Sequence, residues 1–134
     1  MSLDRLLGTW DVTMRHVAVP EPVTGQQRYE RVLDGAFVVL HWTYDAPEFP
    51  DALAVLDEHS CHSFDVRGVT RTFEMHVDDA GWSMSRTGED FWQRSSAAFL
   101  GTEAMEGTGE NSYDGGATWQ HDFSISYVRV PSRS

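Results

Sequence analysis

The chain has 134 residues, 40% hydrophobic and 23% charged, the size and balance of one ordinary globular domain. Its formal net charge is −11, from 21 acidic and 10 basic residues, with no local basic stripe. Such a surface repels phosphate backbones and anionic lipid, so neither nucleic acid nor membrane is expected as a partner; a shielded interior cation is still compatible with it.

The first ten residues, Met-Ser-Leu-Asp-Arg-Leu-Leu-Gly-Thr-Trp, lack the basic start and the apolar run of roughly 7–15 residues that a secretory leader needs. Ser2 to Leu7 reads as one helical turn with Ser2 as N-cap. From Trp10 to Val19 the period becomes two. Trp10, Val12 and Met14 alternate with Asp11, Thr13 and Arg15, the mark of a half-buried strand. Pro20, Pro22 and Gly25 punctuate a loop. Gln27 to Leu33 reads as a second strand, and Asp34-Gly35 as a two-residue hairpin turn. Ala36 to Tyr44, rich in β-branched and aromatic residues, is a third. Its opening, Ala36 to Leu40, is the longest apolar run and far too short to span a bilayer.

Pro47 and Pro50 interrupt the pattern. Ala52 to Asp57 and Cys61 to Val66 read as short strands around a polar turn. Cys61 is the single cysteine, so no internal disulfide can form. With no leader, that predicts a cytoplasmic protein. Val69 to Val77, Trp82 to Thr87, Phe91 to Leu100, Ala104 to Tyr113 and Trp119 to Val130 continue the series. Turn residues stand between them at Asp78-Asp79-Ala80-Gly81 and Asp114-Gly115-Gly116. About nine or ten short strands and no long helix predict an all-β fold. A meander this long removes its exposed edges by closing into an antiparallel up-and-down barrel. Residues 1–130 are expected to form that one domain, with 131–134 as a frayed tail.

The two ends of the chain carry a family pattern. Leu7-Gly8-Thr9-Trp10 opens the first strand and Tyr127-Val128-Arg129 stands in the last. Together they resemble the calycin (lipocalin-like) superfamily, in which a Gly-x-Trp opens the first strand and an Arg near the end of the last lies over the Trp ring. The resemblance implies that Gly8, Trp10 and Arg129 close one end of the barrel. Intracellular fatty-acid-binding proteins share the length and the Gly-Thr-Trp start. They insert two helices where this chain has the short stretch from Val19 to Gln26, and Ile125 stands where they carry a carboxylate-binding Arg. The glycine-rich repeat of nitrobindin-like haem proteins is absent, Asp11-Val12-Thr13-Met14 following Trp10 instead. The chain resembles in particular the uncharacterised bacterial lipocalin-like families that pair a Gly-Thr-Trp start with a late Asp-Gly-Gly-x-Thr-Trp turn, here residues 114–119. Those families have no agreed activity, so the resemblance supplies a fold and not a function.

Chemistry-bearing residues are few. Ser112 to Trp119 has the Asp-box spacing Ser-x-Asp-x-Gly-x-Thr-Trp. One copy cannot build a propeller, so Asp114, Gly116 and Trp119 are read as a structural turn. Asp57-Glu58-His59-Ser60-Cys61-His62 is dense in metal-ligating types but lacks a complementary pair at a recognised spacing. It is read as a polar hairpin tip, and no metal or other cofactor is expected. His16 shares parity with Trp10 and is expected inside the barrel. His121 shares parity with Phe123, Ile125 and Tyr127 and is a second inward candidate. The direction of His41 is open, because its strand is apolar on both faces. Tyr127, whose hydroxyl needs a partner if buried, joins these three histidines as a candidate ligand contact.

Three functions compete. The first is a binder of a small apolar or amphipathic molecule inside the barrel. The second is an isomerase- or cyclase-like enzyme using a cavity histidine as acid–base group. The third is a homodimeric interaction module pairing through outward aromatics among Trp42, Tyr44 and Trp92.

Overall fold

The strands follow from alternation, and the computed structural model places their boundaries over residues 2–131. All of the expected tail except Pro131 lies outside the described residues. A 3₁₀ turn, Ser2–Leu6, leads into ten strands: β1 (Gly8–His16), β2 (Val23–Val32), β3 (Phe37–Tyr44), β4 (Ala52–Leu56), β5 (Ser60–Asp65), β6 (Thr70–Val77), β7 (Gly81–Arg86), β8 (Trp92–Leu100), β9 (Ala104–Ser112) and β10 (Gln120–Arg129). Each pairs antiparallel with the next, and β10 returns to β1, so the sheet closes on itself. Trp10 thereby stands opposite Arg129, and His16 opposite Phe123. On β1, Trp10, Val12 and Met14 are buried while Asp11, Thr13 and Arg15 are exposed. Fully buried side chains such as Leu6, Trp10, Val38, Leu56 and Met105 stabilise the barrel by about 1.5–3 kcal/mol each.

Two local expectations are corrected. β2 begins at Val23, not at Gln27, and Gly25 lies within it. Gly25 pairs with Tyr44 on β3, and a Cβ there would fall 2.1 Å from the carbonyl oxygen of Thr43. The glycine is a close approach of two strands and not a break between them. The β2–β3 connection is also wider than two residues. Val32 pairs with Phe37, and Leu33, Asp34 and Gly35 all take left-handed φ (54°, 57° and 85°). The N–H groups of Gly35 and Ala36 donate to the carbonyls of Val32 and Leu33, each at 3.1 Å.

The two ends of the barrel differ. At one, the 3₁₀ turn buries Leu3 and Leu6 beneath Trp10, whose Nε1–H donates to the Leu6 carbonyl at 2.9 Å. The Arg129 guanidinium lies 4.1 Å from the Trp10 ring centroid. It donates to the carbonyls of Leu7, of Arg5 (2.8 Å) and of Thr102 (2.9 Å). Gly8, at φ 111°, leaves room for it, since a Cβ there would fall 2.9 Å from Arg129 Nη1. Arg5 extends the lid, stacking 4.1 Å from the Phe99 centroid and donating to the Asp79 carbonyl at 2.7 Å. The other end is open. There β6 and β7 part: they pair only from Glu74–Ser85 to Val77–Trp82, so Thr70–Phe73 have β5 as their one ladder partner. No helix among the described residues is long and apolar enough to cross a membrane.

Candidate functional site

The open end holds a cavity of about 300 Å³ inside the barrel. Its wall is set by strand parity. Met14, Leu40, Cys61, Phe73 and Met84 line it towards the barrel's middle, and Trp42 and Tyr44 line it nearer the mouth. Phe49, on the β3–β4 connection, folds over the opening, with its ring 5.1 Å from that of His16 and 5.8 Å from that of Tyr44. Below the cavity sits a buried polar group of Gln27, Tyr29 and Tyr127, which Tyr44 joins from the cavity wall. The Tyr29 hydroxyl donates to Gln27 Oε1 at 3.3 Å, and Tyr44 is hydrogen-bonded to Gln27 as well. Burial pushes all three tyrosine hydroxyls above their usual range, so they stay protonated as neutral hydrogen-bonding groups. Burial alone pushes the Cys61 thiol up to about 12.

The rim is polar, and its charges are mostly matched. Asp65 accepts from Arg67 at 2.6 Å, and that hydrogen bond holds its carboxyl below the usual range. Glu110 accepts from Arg94 at 2.9 Å, and Arg94 also stacks 4.0 Å from the Trp119 centroid. Asp122 lies 3.1 Å from His16. The Ala18 N–H donates to His16 Nδ1 at 3.0 Å, so the imidazole proton sits on Nε2 and points at Asp122. Both ring nitrogens are therefore engaged.

The predicted contacts do not gather at one place. His16 is inside and lines the cavity. Tyr127 is buried deeper, edge-on to Trp10 (6.5 Å between centroids, 83° between planes), and does not line it. His41 points outward, 3.7 Å from Glu30 on the neighbouring strand. His121 also faces out, against the parity expectation. The ladder pairs His121 with Glu110 but Phe123 with Gly109, so β10 carries a bulge at Asp122 that reverses the alternation. The exposed His121 ring lies 3.3 Å from Ser124 Oγ. The same bulge turns the Asp122 carboxylate to His16, a pairing that no regular strand would make.

Two of the aromatics expected in an outward dimer patch, Trp42 and Tyr44, line the cavity instead. The hairpin-tip residues separate as strand alternation requires: Cys61 is buried and faces in, while His59 and His62 are exposed. Asp57 ends β4 as a turn acceptor, its Oδ1 taking the N–H groups of His59 and Ser60, each at 2.8 Å. In the Asp-box segment, Asp114 accepts from Ser112 Oγ (2.8 Å), Thr118 N–H (2.9 Å) and Thr118 Oγ1 (2.5 Å). Gly116, at φ 89°, donates its N–H to Ser112 Oγ at 2.9 Å and lies under the Trp92 ring. Sequence reasoning missed Arg71, Asp65 and Asp122 at the mouth. For Arg71 the signal was present, because it shares the inward parity of Phe73, Met75 and Val77 on β6.

No protein-family model and no curated protein sequence matches the chain. Solved structures do. Fatty-acid-binding protein 1 of Echinococcus granulosus superposes with a TM-score of 0.68 at 10% identity, over 96% of this chain and 99% of that one. A protein of unknown function from the DUF3598 family of Nostoc punctiforme gives 0.66 at 10%, over 97% of this chain and 49% of the other. The S-type phycobiliprotein lyase CPES of Guillardia theta gives 0.63 at 12%, over 98% and 92%. At such identities the likeness speaks for architecture, and with the closed antiparallel ladder it shows that the chain has the ten-stranded calycin-like barrel fold shared with fatty-acid-binding proteins.

Proposed function

We propose that the chain binds a small apolar or amphipathic molecule in the open end of its barrel. The observation that carries this reading is the cavity of about 300 Å³, whose inner wall is apolar and aromatic and whose rim is polar. That arrangement, in that size range, is what small-molecule sites share. Two structural neighbours lend analogy: one is by name a fatty-acid-binding protein, another a phycobiliprotein lyase.

The acid–base reading has one observation in its favour, the His16–Asp122 pair beside the cavity. Against it, the Nδ1 lone pair is spent on the Ala18 N–H and the Nε2 proton on the carboxylate. A base needs a free lone pair within reach of the substrate proton, and this ring has none. The pair instead clips the end of β1 to the bulge of β10.

The test is native mass spectrometry of protein purified gently from cells, with an absorption spectrum of the same sample. Wild-type protein should carry an adduct that leaves on denaturation, and its mass names the chemical class. Ser63 faces inward and lines the cavity, so the indole in Ser63→Trp takes up much of the space. That variant should keep the barrel's circular dichroism and lose the adduct. A bare wild-type mass, together with no uptake of a fluorescent apolar probe, would refute the reading.

A further inference from the structure

We propose that the occupant carries a carboxylate, held by Arg71 at the cavity mouth; this rests on the binding reading above. The charges lining the cavity pair off as Arg67 with Asp65, Arg94 with Glu110 and His16 with Asp122. Arg71 is left over: it lines the same cavity, and among the described residues no carboxylate stands within ion-pair distance of it. Arg5 and Arg129 also lack an acid among the described residues, but they spend their donors on backbone carbonyls, and Arg15 faces outward; Arg71 faces the cavity with its donors unspent.

The position is built. Arg71 stands on β6 where β7 has parted from it, with an inward parity and a half-buried side chain. Its guanidinium stacks over the Phe91 ring, 5.5 Å from the centroid. Arg86 covers the same ring at 4.9 Å and is itself held, donating to Gln93 Oε1 at 2.6 Å and to Asp90 at 3.4 Å. Phe91 therefore holds Arg71 by its ring face without using its N–H groups, while the charge of Arg86 is matched by Asp90. A guanidinium whose donors are unspent presents a planar fork that matches a carboxylate in a bidentate pair. The apolar wall formed by Met14, Leu40, Phe73 and Met84 is left for the rest of the molecule. One unmatched cation suits one negative charge, so a monocarboxylate fits better than a phosphate dianion facing so acidic a surface.

The probes are 11-(dansylamino)undecanoic acid and its methyl ester, titrated separately against the purified full chain and followed by dansyl fluorescence. The acid should bind about tenfold more tightly than the ester, the size of one charge-assisted bidentate contact near a surface. Arg71→Gln should abolish that advantage and leave ester affinity unchanged; Arg71→Lys should restore part of it. Arg71 has no ion pair to lose, so these variants should melt within a few degrees of wild type. Equal affinity for acid and ester, or an Arg71→Gln variant weakened equally for both, overturns the anchor and leaves the cavity reading standing. Failure of both probes on wild-type protein overturns the anchor, and joined by a bare native mass it sinks the cavity reading as well.

Discussion

Replacing Arg129 with alanine strips the closed end of the barrel of its cover. The guanidinium gives hydrogen bonds to three backbone carbonyls, those of Leu7, Arg5 and Thr102, which otherwise face the barrel end unpaired. Each such bond at a partly exposed site contributes about 1 kcal/mol net. Stacking on Trp10 adds about 1 kcal/mol. Uncovering an indole that is 1% exposed in the intact protein costs a fraction of a kcal/mol more. The expected loss is about 4 kcal/mol, a large share of the ~5–15 kcal/mol that a domain usually has. Urea titrations at 25 °C should show the midpoint falling by roughly 2 M with an unchanged slope. Arg129→Met keeps much of the stem and should lose less; Arg129→Lys cannot fork to three carbonyls and should recover less than half. A loss under about 1 kcal/mol for Arg129→Ala would mean that solvent replaces these contacts without penalty, and the closure argument would be wrong. Because the cavity opens at the opposite end, the folded Arg129 variants should bind the dansyl probes as wild type does.

Three further outcomes can be checked. The Cys61 thiol, pushed up to about 12 by burial, should be ~1 part in 10⁴ thiolate at pH 8. Iodoacetamide should label it over hours in native protein and within minutes in urea, and rapid native labelling would refute its burial. Asp114 is held down to about 2, first by the Thr118 hydroxyl, against an ordinary value of 3.8. Its stabilising effect is therefore full above about pH 4 and lost as pH falls towards 2. Acid titrations of wild type and Asp114→Asn should converge across that window, and parallel curves would count against the turn network. Leu33 is 74% exposed with φ at 54°, so Leu33→Asn should raise stability by about 0.5–1 kcal/mol in thermal unfolding. An unchanged melting temperature would show that the loop relaxes.

Strand existence and order were legible because period-two alternation is a local signal, renewed every few residues between turn residues. Closure was legible from the two ends, since Trp10 and Arg129 are cross-strand partners. Where glycine does two jobs, the reading failed. Gly25 looked like Pro20 and Pro22, a stop, whereas the close approach that demands it comes from Thr43 and Tyr44, far along the chain. β3 is apolar on both faces, with Val39 half-buried outside and Val38 and Leu40 buried inside, so no pattern could say which way His41 or Trp42 turned. Closure against β2 and β4 settles it, and the aromatic that looked available to a partner becomes cavity wall.

The mouth of the cavity was less legible for a different reason. Parity transmits direction only while a strand stays regular, and β10 is irregular where it matters. The bulge at Asp122 sends His121 outside and delivers an acid that no alternation rule would place beside His16. Charge matching is harder still to read. Arg67 and Asp65 are near in sequence, but Arg94 meets Glu110 across β8 and β9, and His16 meets Asp122 across β1 and β10. That Arg71 is the one lining cation with no acid beside it among the described residues is a property of all those pairings taken together, so it belongs to no motif. A site whose specificity rests on what is left unpaired can be found only after every pair has been placed. For that reason a chain whose local patterns name a barrel so readily stays silent about what the mouth of that barrel could recognise.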